Sequence, residues 1–523
     1  MNDLPTEQQT TKGSTEKPVK RNEIGGYTVL PDTAKTVVEK VRRKLPAWLE
    51  SPDIVKSDIA NQQKPIEEIE QLSERLSSLL RANNITHLFP VQWQVMPEVL
   101  ASTVPGSLMG RLGLPPRDIC CSAPTGSGKT LAFVLPIVQM LETCSSRHLR
   151  ALVVLPVSDL ASQVYKVFLT YTAETNLKVA LMNGQNSLLA EERAITTRNK
   201  LTGEIETGID ILVSTPGRLV DHISYTKGLD LSHLRYLVLD EVDRTLEEVK
   251  HDWLDCLERA VYDKRGWPEP LTAARLNSVK LPLQKLLFSA TLTENPEKLE
   301  RLKLCEPRLF TSIVKESVLS ETADNTQVHF AGKYTTPTGL REYYTECRVA
   351  TRKPVILLYL LHSVKLRKVL VFAGSQETVH RLYKLLRQFN DELTVEEISG
   401  DMSKKKRNQV LRQFDRNNIN VLVTTDIMAR GIDIEDVSAV ISYDAPPYIK
   451  TYIHRVGRTA RAGKEGVAYT ILNTSEVAFF RKMIKAAGKT VKANRVGRTE
   501  MRPYVERCQL LLKGRQDAMD TGV

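Results

Sequence analysis

Ile119-Cys-Cys-Ser-Ala-Pro-Thr-Gly-Ser-Gly-Lys-Thr-Leu-Ala-Phe-Val-Leu-Pro-Ile-Val-Gln-Met-Leu141 decides the fold. A short apolar run, a glycine-containing loop and a longer apolar run follow one another without a break. That order predicts a buried strand, a phosphate-binding loop and an apolar helix. Within Ala123-Pro124-Thr125-Gly126-Ser127-Gly128-Lys129-Thr130 the glycines let backbone N–H groups turn onto phosphate oxygens. The helix N-terminus adds positive potential. Lys129 is placed to reach the β- and γ-phosphates, and the Thr130 hydroxyl to bind Mg2+. Ala123 stands where the motif's first glycine belongs, so a ligand-free loop capping a helix is the competing interpretation.

Outward from this loop the same alternation repeats. Helical patterns begin near Ile66 and separate the apolar runs Ala151–Leu155, Ile211–Val213, Leu237–Leu239 and Lys285–Phe288. A second series follows at Lys368–Ala373, Val421–Thr425, Ala439–Tyr443 and Val467–Leu472. Strands alternating with helices predict parallel sheets covered on both faces, here as two doubly wound α/β domains. The polar stretch between them, with Glu321-Thr-Ala-Asp-Asn-Thr326 and Thr335-Thr-Pro-Thr338, reads as a flexible linker. The expected organisation is a disordered segment at 1–44, a docking segment at 45–65 around Leu45-Pro-Ala-Trp-Leu49, and a first domain at 66–315. The linker then spans 316–345, the second domain 346–485 and a basic tail 486–523.

Composition narrows the function. The 523 residues suffice for two or three domains with sizeable cores. No apolar run approaches the roughly 20 residues of a membrane span, and the polar N-terminus lacks a signal-peptide core, so no membrane association is expected. Seven cysteines, an odd number without metal-ligand spacing, predict reduced thiols inside a cell. The net charge of +11 favours a polyanionic partner. From Glu476 onward, eleven Lys/Arg stand against five Asp/Glu, which suits either a solvated face or a nucleic-acid contact.

Leu237-Val-Leu-Asp-Glu-Val-Asp243 ends an apolar run about a hundred residues after the phosphate loop. An acidic pair there suits a Mg2+-dependent phosphate site: Asp240 holds the metal through its water shell, and Glu241 orients and deprotonates the attacking water. At this point the sequence resembles the DEAD-box family of RNA-dependent ATPases, superfamily 2 helicases, over roughly residues 66–480. Asp240-Glu-Val-Asp243 takes the place of Asp-Glu-Ala-Asp, and Ser289-Ala-Thr291 resembles the motif that couples nucleotide state to strand separation. Gly184-Gln185 and Ser214-Thr-Pro-Gly-Arg218 are similar to RNA-contacting motifs. The second domain supplies Thr425-Asp-Ile-Met-Ala-Arg-Gly-Ile-Asp433 and His454-Arg-Val-Gly-Arg-Thr-Ala-Arg461.

The resemblance implies two tandem RecA-like domains and assigns roles. Gln92, in Leu88-Phe-Pro-Val-Gln92, reads the adenine edge, and Asp433 contacts the ribose. Asp243, Ser289, Thr291 and His454 couple the domains. Gly184, Thr215, Pro216, Gly217, Arg218, Arg407 and Thr425 contact RNA. Arg458 and Arg461 lie in a different domain from Lys129, so they reach the γ-phosphate only when the domains close; such arginine fingers are worth ~10³–10⁵ in rate. The sequence also departs from the pattern. Pro65-Ile-Glu-Glu-Ile69 lacks the aromatic expected to stack on the base, so either stacking is weaker or Trp48 substitutes. Ser158 replaces an arginine in Pro156-Val-Ser-Asp-Leu-Ala161, and Ser399-Gly-Asp-Met-Ser-Lys404 departs from the usual histidine-glycine start.

The resulting expectation is an ATP-dependent RNA helicase that uses ATP and Mg2+ to unwind short RNA duplexes or remodel ribonucleoproteins. An ATP-gated RNA clamp with little turnover shares every motif; a DNA translocase fits the glutamine motif less well. Leu45-Pro-Ala-Trp-Leu49, Phe89-Pro-Val-Gln92 and Pro156-Val-Ser-Asp159 resemble the nucleolar branch that assembles the large ribosomal subunit. That implies precursor ribosomal RNA and ribosome assembly proteins as partners, a monomeric catalytic unit, and location in the nucleus and nucleolus. Arg42-Arg-Lys44 and the basic tail fit nuclear import.

Overall fold

Parallel strands have no hairpin route between them, so each apolar run must be followed by a crossover that covers the sheet. The computed structural model shows this arrangement twice. It describes residues 23–24, 27–28, 46–50, 52–55, 62–101, 116–200, 202–248, 253–266, 283–290, 299–312, 336, 339–363, 368–389, 393–426, 437–461, 464–497 and 499–509. Met1–Leu45 forms a unit of its own, whose described part is the antiparallel pair Glu23–Ile24 and Tyr27–Thr28. Pro46–Val523 forms the other unit and carries both large sheets.

The first sheet contains β1 (Asp53–Ile54), β2 (Ile119–Ser122), β3 (Ala151–Val154), β4 (Val179–Met182), β5 (Ile211–Ser214), β6 (Tyr236–Asp240), β7 (Gln284–Ser289) and β8 (Arg308–Thr311). Their order is β1-β8-β2-β7-β6-β3-β5-β4, all parallel. Residues of β2, β3, β5, β6 and β7 are buried on both faces, which explains unbroken apolar runs rather than alternation. Around this sheet lie α1 (Ala47–Glu50), α2 (Glu74–Ala82), α3 (Pro90–Ala101), α4 (Lys129–Leu141), α5 (Ser158–Tyr171), α6 (Leu188–Ile195), α7 (Pro216–Tyr225), α8 (Val242–Glu248) and α9 (Trp253–Arg265). Phe133 of α4 packs on Phe168 of α5 and Phe288 of β7, with ring centroids 6.3 and 5.1 Å apart.

The second sheet contains β9 (Leu340–Cys347), β10 (Val369–Ala373), β11 (Val395–Ile398), β12 (Val421–Thr425), β13 (Ala439–Ser442), β14 (Gly466–Asn473) and β15 (Lys492–Ala493). Its order is β11-β12-β10-β13-β14-β9-β15, again all parallel. Helices α10 (Lys353–Ser363), α11 (Gln376–Phe389), α12 (Lys404–Asp415), α13 (Ile449–Val456) and α14 (Thr474–Ala486) flank it.

Three expected boundaries move. The linker placed at 316–345 overlaps β9, which begins at Leu340 and pairs with β14 along its whole length. Its charged residues hid it; Lys489 Nζ reaches Glu342 at 2.7 Å, compensating that carboxylate. The docking segment at 45–65 supplies β1, an edge strand pinned by Arg308 Nε to Asp53 at 2.6 Å. The basic tail at 486–523 is part of the second domain in its described portion, because β15 extends the sheet and Tyr504 of the helix at 499–509 packs against Phe389 and His362.

Candidate active site

In an open parallel sheet, ligands are met at the carboxyl ends of the strands. The phosphate loop, Asp240 and Ser289 sit at the carboxyl ends of β2, β6 and β7, which are neighbours in the order β2-β7-β6. Gly126 and Gly128 have φ of +80° and +81°, left-handed geometry that favours glycine. Gly128 also makes room: a Cβ there would lie 2.7 Å from Phe89 Cδ2 and overlap the Gln92 amide. Gln92 Nε2 donates to Gly128 O at 3.0 Å, and Gln92 Oε1 accepts from Phe89 N at 2.8 Å. One N–H and one lone pair of that amide remain for a base edge.

Lys129 Nζ donates to the carbonyls of Ala123 and Pro124, both at 2.8 Å, and burial pulls its pKa below the ordinary lysine value. Ser127 Oγ is buried without a hydrogen-bond partner. An orphaned hydroxyl inside a loop of left-handed glycines, beside a lysine, fits a phosphate oxygen. Asp240 is buried at the end of β6, and burial pushes its carboxyl up to about 6, against the pull of the Lys129 ammonium. The chain then turns through Glu241 at φ +52°, whose N–H donates to Asp240 Oδ1 at 2.9 Å. A left-handed non-glycine residue costs of order 1–3 kcal/mol, here spent on presenting two adjacent carboxylates. These carboxylates and Thr130 form an all-oxygen donor set that suits Mg2+. Buried Ser289 donates to buried Asp243 Oδ2 at 2.6 Å, tying the ends of β7 and α8 together.

The second domain meets this loop directly. Helix α13 ends at His454–Val456, and Gly457 follows as its C-cap. Thr125 Oγ1 donates to Gly457 O at 3.0 Å, and a Cβ on Gly126 would stand 3.0 Å from Arg461 Cγ. Arg461 Nε donates to Gly457 O at 3.1 Å, and Arg458 is buried beside it in the sequence. The seam is fixed from behind by Arg455, whose Nε and Nη2 each donate to Asp426 at 2.7 Å while Nη1 donates to Asp444 O at 2.6 Å. Thr425 immediately precedes Asp426, so the strand carrying an expected RNA contact holds the helix that leads into Arg458 and Arg461.

On the other half of the first sheet's edge, β3, β5 and β4 are neighbours. Gly184 follows β4, and Thr215–Arg218 opens α7 after β5. Buried Glu191 joins them: it accepts from Gly184 N at 3.1 Å, Arg218 Nε at 2.6 Å and lies 3.1 Å from His222 Nε2. Burial pushes this carboxyl upward, but the bonds from Arg218 and His222 outweigh it and hold the pKa below the ordinary value. Arg218 thus has its Nε committed to the scaffold. Arg407 lies on α12, after β11, with its Nε buried and unpartnered, and Thr425 is buried at the end of β12.

Thr291 and Asp433 lie outside the described residues. Trp48 is half-buried in α1, which packs against β8. The aromatic against the loop is Phe89, three residues before Gln92 and visible in the sequence. Glu191, His222, Arg455 and Asp426 were also missed: the Arg455–Asp426 pair sits inside quoted motifs, whereas Glu191 has no local signal.

Comparison with known proteins agrees with this geometry. The DEAD/DEAH box helicase model matches residues 89–299, and the helicase conserved C-terminal domain model matches 352–463. The chain is 44% identical over 496 residues to ATP-dependent RNA helicase DDX51 of Mus musculus, covering 92% of this chain and 77% of that protein. It is 37% identical over 489 residues to ATP-dependent RNA helicase dbp6 of Schizosaccharomyces pombe, covering 88% and 77%. In fold it resembles Mss116p bound to single-stranded RNA and AMP-PNP, with TM-score 0.66, 22% identity and 88% and 85% coverage. Dbp5 of S. cerevisiae bound to RNA and ADP BeF3 gives TM-score 0.62 at 22% identity, covering 86% and 99%. With two nucleotide-site halves in contact and both helicase domains matched, the chain belongs to the DEAD-box family of ATP-dependent RNA helicases.

Proposed function

We propose that this chain hydrolyses ATP in a site split between its two sheet domains, and that bound RNA controls their apposition. The observation carrying the proposal is the seam itself, where Thr125 bonds Gly457 and Arg461 lies over Gly126. In this account Gln92 reads adenine, Lys129 and the loop N–H groups hold the phosphates, and Glu241 orients and deprotonates water. Asp240 and Thr130 would hold Mg2+, which supplies charge neutralisation at the phosphates when bound. Arg458 and Arg461 stabilise transition-state charge, and Asp433 contacts the ribose. Asp243, Ser289, Thr291 and His454 link the nucleotide to the RNA-facing edge. Gly184, Thr215, Pro216, Gly217, Arg407 and Thr425 touch the RNA backbone, with Arg218 positioned by Glu191.

Backbone contacts give weak sequence preference and salt-sensitive binding. RNA should raise ATP turnover, and Lys129→Ala should abolish it; turnover indifferent to both would refute the proposal. The resemblance of Leu45-Pro-Ala-Trp-Leu49 and Pro156-Val-Ser-Asp159 to the nucleolar branch supports precursor ribosomal RNA as substrate in large-subunit assembly, with the nucleolus as location. Crosslinking in cells tests this, and absence of ribosomal precursor among the crosslinked RNA would discard it.

A further inference from the structure

A cavity of about 670 Å³ lies on the second domain, between the end of β9 and the segment that follows β15. Arg348, Arg352 and Arg495 line it, with apolar Val496 and Met501 at its wall. All three arginines are exposed, and among the described residues none has a carboxylate within ion-pair distance. Among the described residues the single acidic lining residue, Glu346, accepts a hydrogen bond from Thr474 Oγ1 at 3.0 Å. Three guanidiniums in one concavity repel each other unless an anion lies between them, and their planar forks match phosphate oxygens.

The cavity's position selects the anion. All seven strands are parallel, so the ends of β9 and β15 lie on the same edge as the ends of β11 and β12, which lead to Arg407 and Thr425. Four strand spacings of about 4.8 Å separate β12 from β9, or about 19 Å. Arg407 Nε, buried and unpartnered, offers a donor at the other end of that edge. We propose that the Arg348–Arg352–Arg495 cavity binds phosphates of the same RNA strand, lengthening its track across the second domain. This rests on the RNA-helicase reading and adds a second contact region outside the helicase motifs.

The test compares the wild-type chain with an Arg348→Glu/Arg352→Glu/Arg495→Glu variant, with an all-lysine variant as a charge-preserving control. Affinity is measured with ATP analogue present for single-stranded RNA of roughly 8 and roughly 20 nucleotides at several salt concentrations. Each phosphate contact contributes about 0.7 to the log–log salt slope on a single strand, so the glutamate variant should lose about 2 from the slope on the long strand. It should bind that strand at least tenfold more weakly, bind the short strand as wild type does, and keep its RNA-free ATPase; the lysine variant should retain most of the affinity. Equal affinity and slope for the long strand in wild type and glutamate variant would overturn the inference while leaving the helicase reading intact. Competition by inorganic tripolyphosphate with no dependence on RNA length would also overturn it, in favour of a small-anion pocket. Failure of wild type to bind either RNA would instead defeat both readings.

Discussion

Gly457→Ala isolates the seam between the two domains. Gly457 has φ −69°, which alanine adopts freely, so the substitution adds one methyl group without backbone strain. That methyl would overlap Thr125 Oγ1 and lie 3.3 Å from Thr125 Cβ, both in the other domain, while standing a tight 3.0 Å from Ile453 O in its own helix. Relieving the overlap requires the segments to part by roughly 1 Å, and a misplacement of that size costs on the order of 10²-fold in rate. Loss of the Thr125–Gly457 hydrogen bond contributes about 1 kcal/mol more, or roughly another fivefold. RNA-stimulated turnover should therefore fall about 10²–10³-fold. Nucleotide affinity of the first domain and the melting temperature should stay near wild type. Thr125→Ala in the same chain removes the obstructing oxygen and should restore part of the lost turnover. Steady-state ATPase at saturating RNA, with a fluorescent nucleotide titration as control, measures both. Unchanged turnover in Gly457→Ala, or a loss that Thr125→Ala does not relieve, would refute the claim that this contact forms in the active state.

Glu191→Ala should destabilise the first domain by ~3–5 kcal/mol, because Arg218, Gly184 N–H and His222 lose a buried partner. The expected melting-temperature fall is roughly 10 °C, with RNA binding weakened beyond what ATP binding loses; a shift under about 2 °C would contradict it. Gly128→Ala and Gly184→Ala both force a left-handed alanine at about 1–2 kcal/mol, but only Gly128 faces Phe89 and Gln92, while a Cβ at Gly184 meets open space. ATP affinity should thus drop at least about tenfold in the first and hold in the second, and equal losses would count against the Gln92 assignment. Asp240, held up to about 6 by burial, is protonated below that pH and ionised above it, and metal binding needs the ionised form. Accordingly kcat/KM should fall about tenfold per pH unit below about pH 6, and a flat profile from about pH 5 to 7 would refute that ionisation as the controlling one.

The strands buried on both faces were legible because burial leaves no freedom in residue type: β2, β3, β5, β6 and β7 all appear as apolar runs. The phosphate loop was legible for the opposite reason, since its geometry demands glycine at two positions with φ near +80°. β9 escaped because Glu342 and Glu346 interrupt its apolar residues, and Lys489, distant in sequence, compensates Glu342. β1 and β15 escaped because two residues carry no period. Within the site, Lys129, Asp240 and Arg461 each belong to contiguous motifs, whereas Glu191 acts through residues between 183 and 222 and has no pattern of its own. Residues 65–69 carry no aromatic, whereas Phe89, three residues before Gln92, lies against Gly128 of the loop.

In the proposed mechanism, hydrolysis requires both halves of the site, brought together by RNA. Steady-state ATP turnover of wild type and Arg461→Ala, each with and without single-stranded RNA, decides whether it does. Strong RNA stimulation is expected in wild type, with a loss of ~10³–10⁵-fold in the RNA-stimulated rate of the variant and ATP still bound by the first domain. RNA-independent turnover in wild type, or an RNA-stimulated Arg461→Ala rate equal to that of wild type, would overturn the split-site mechanism.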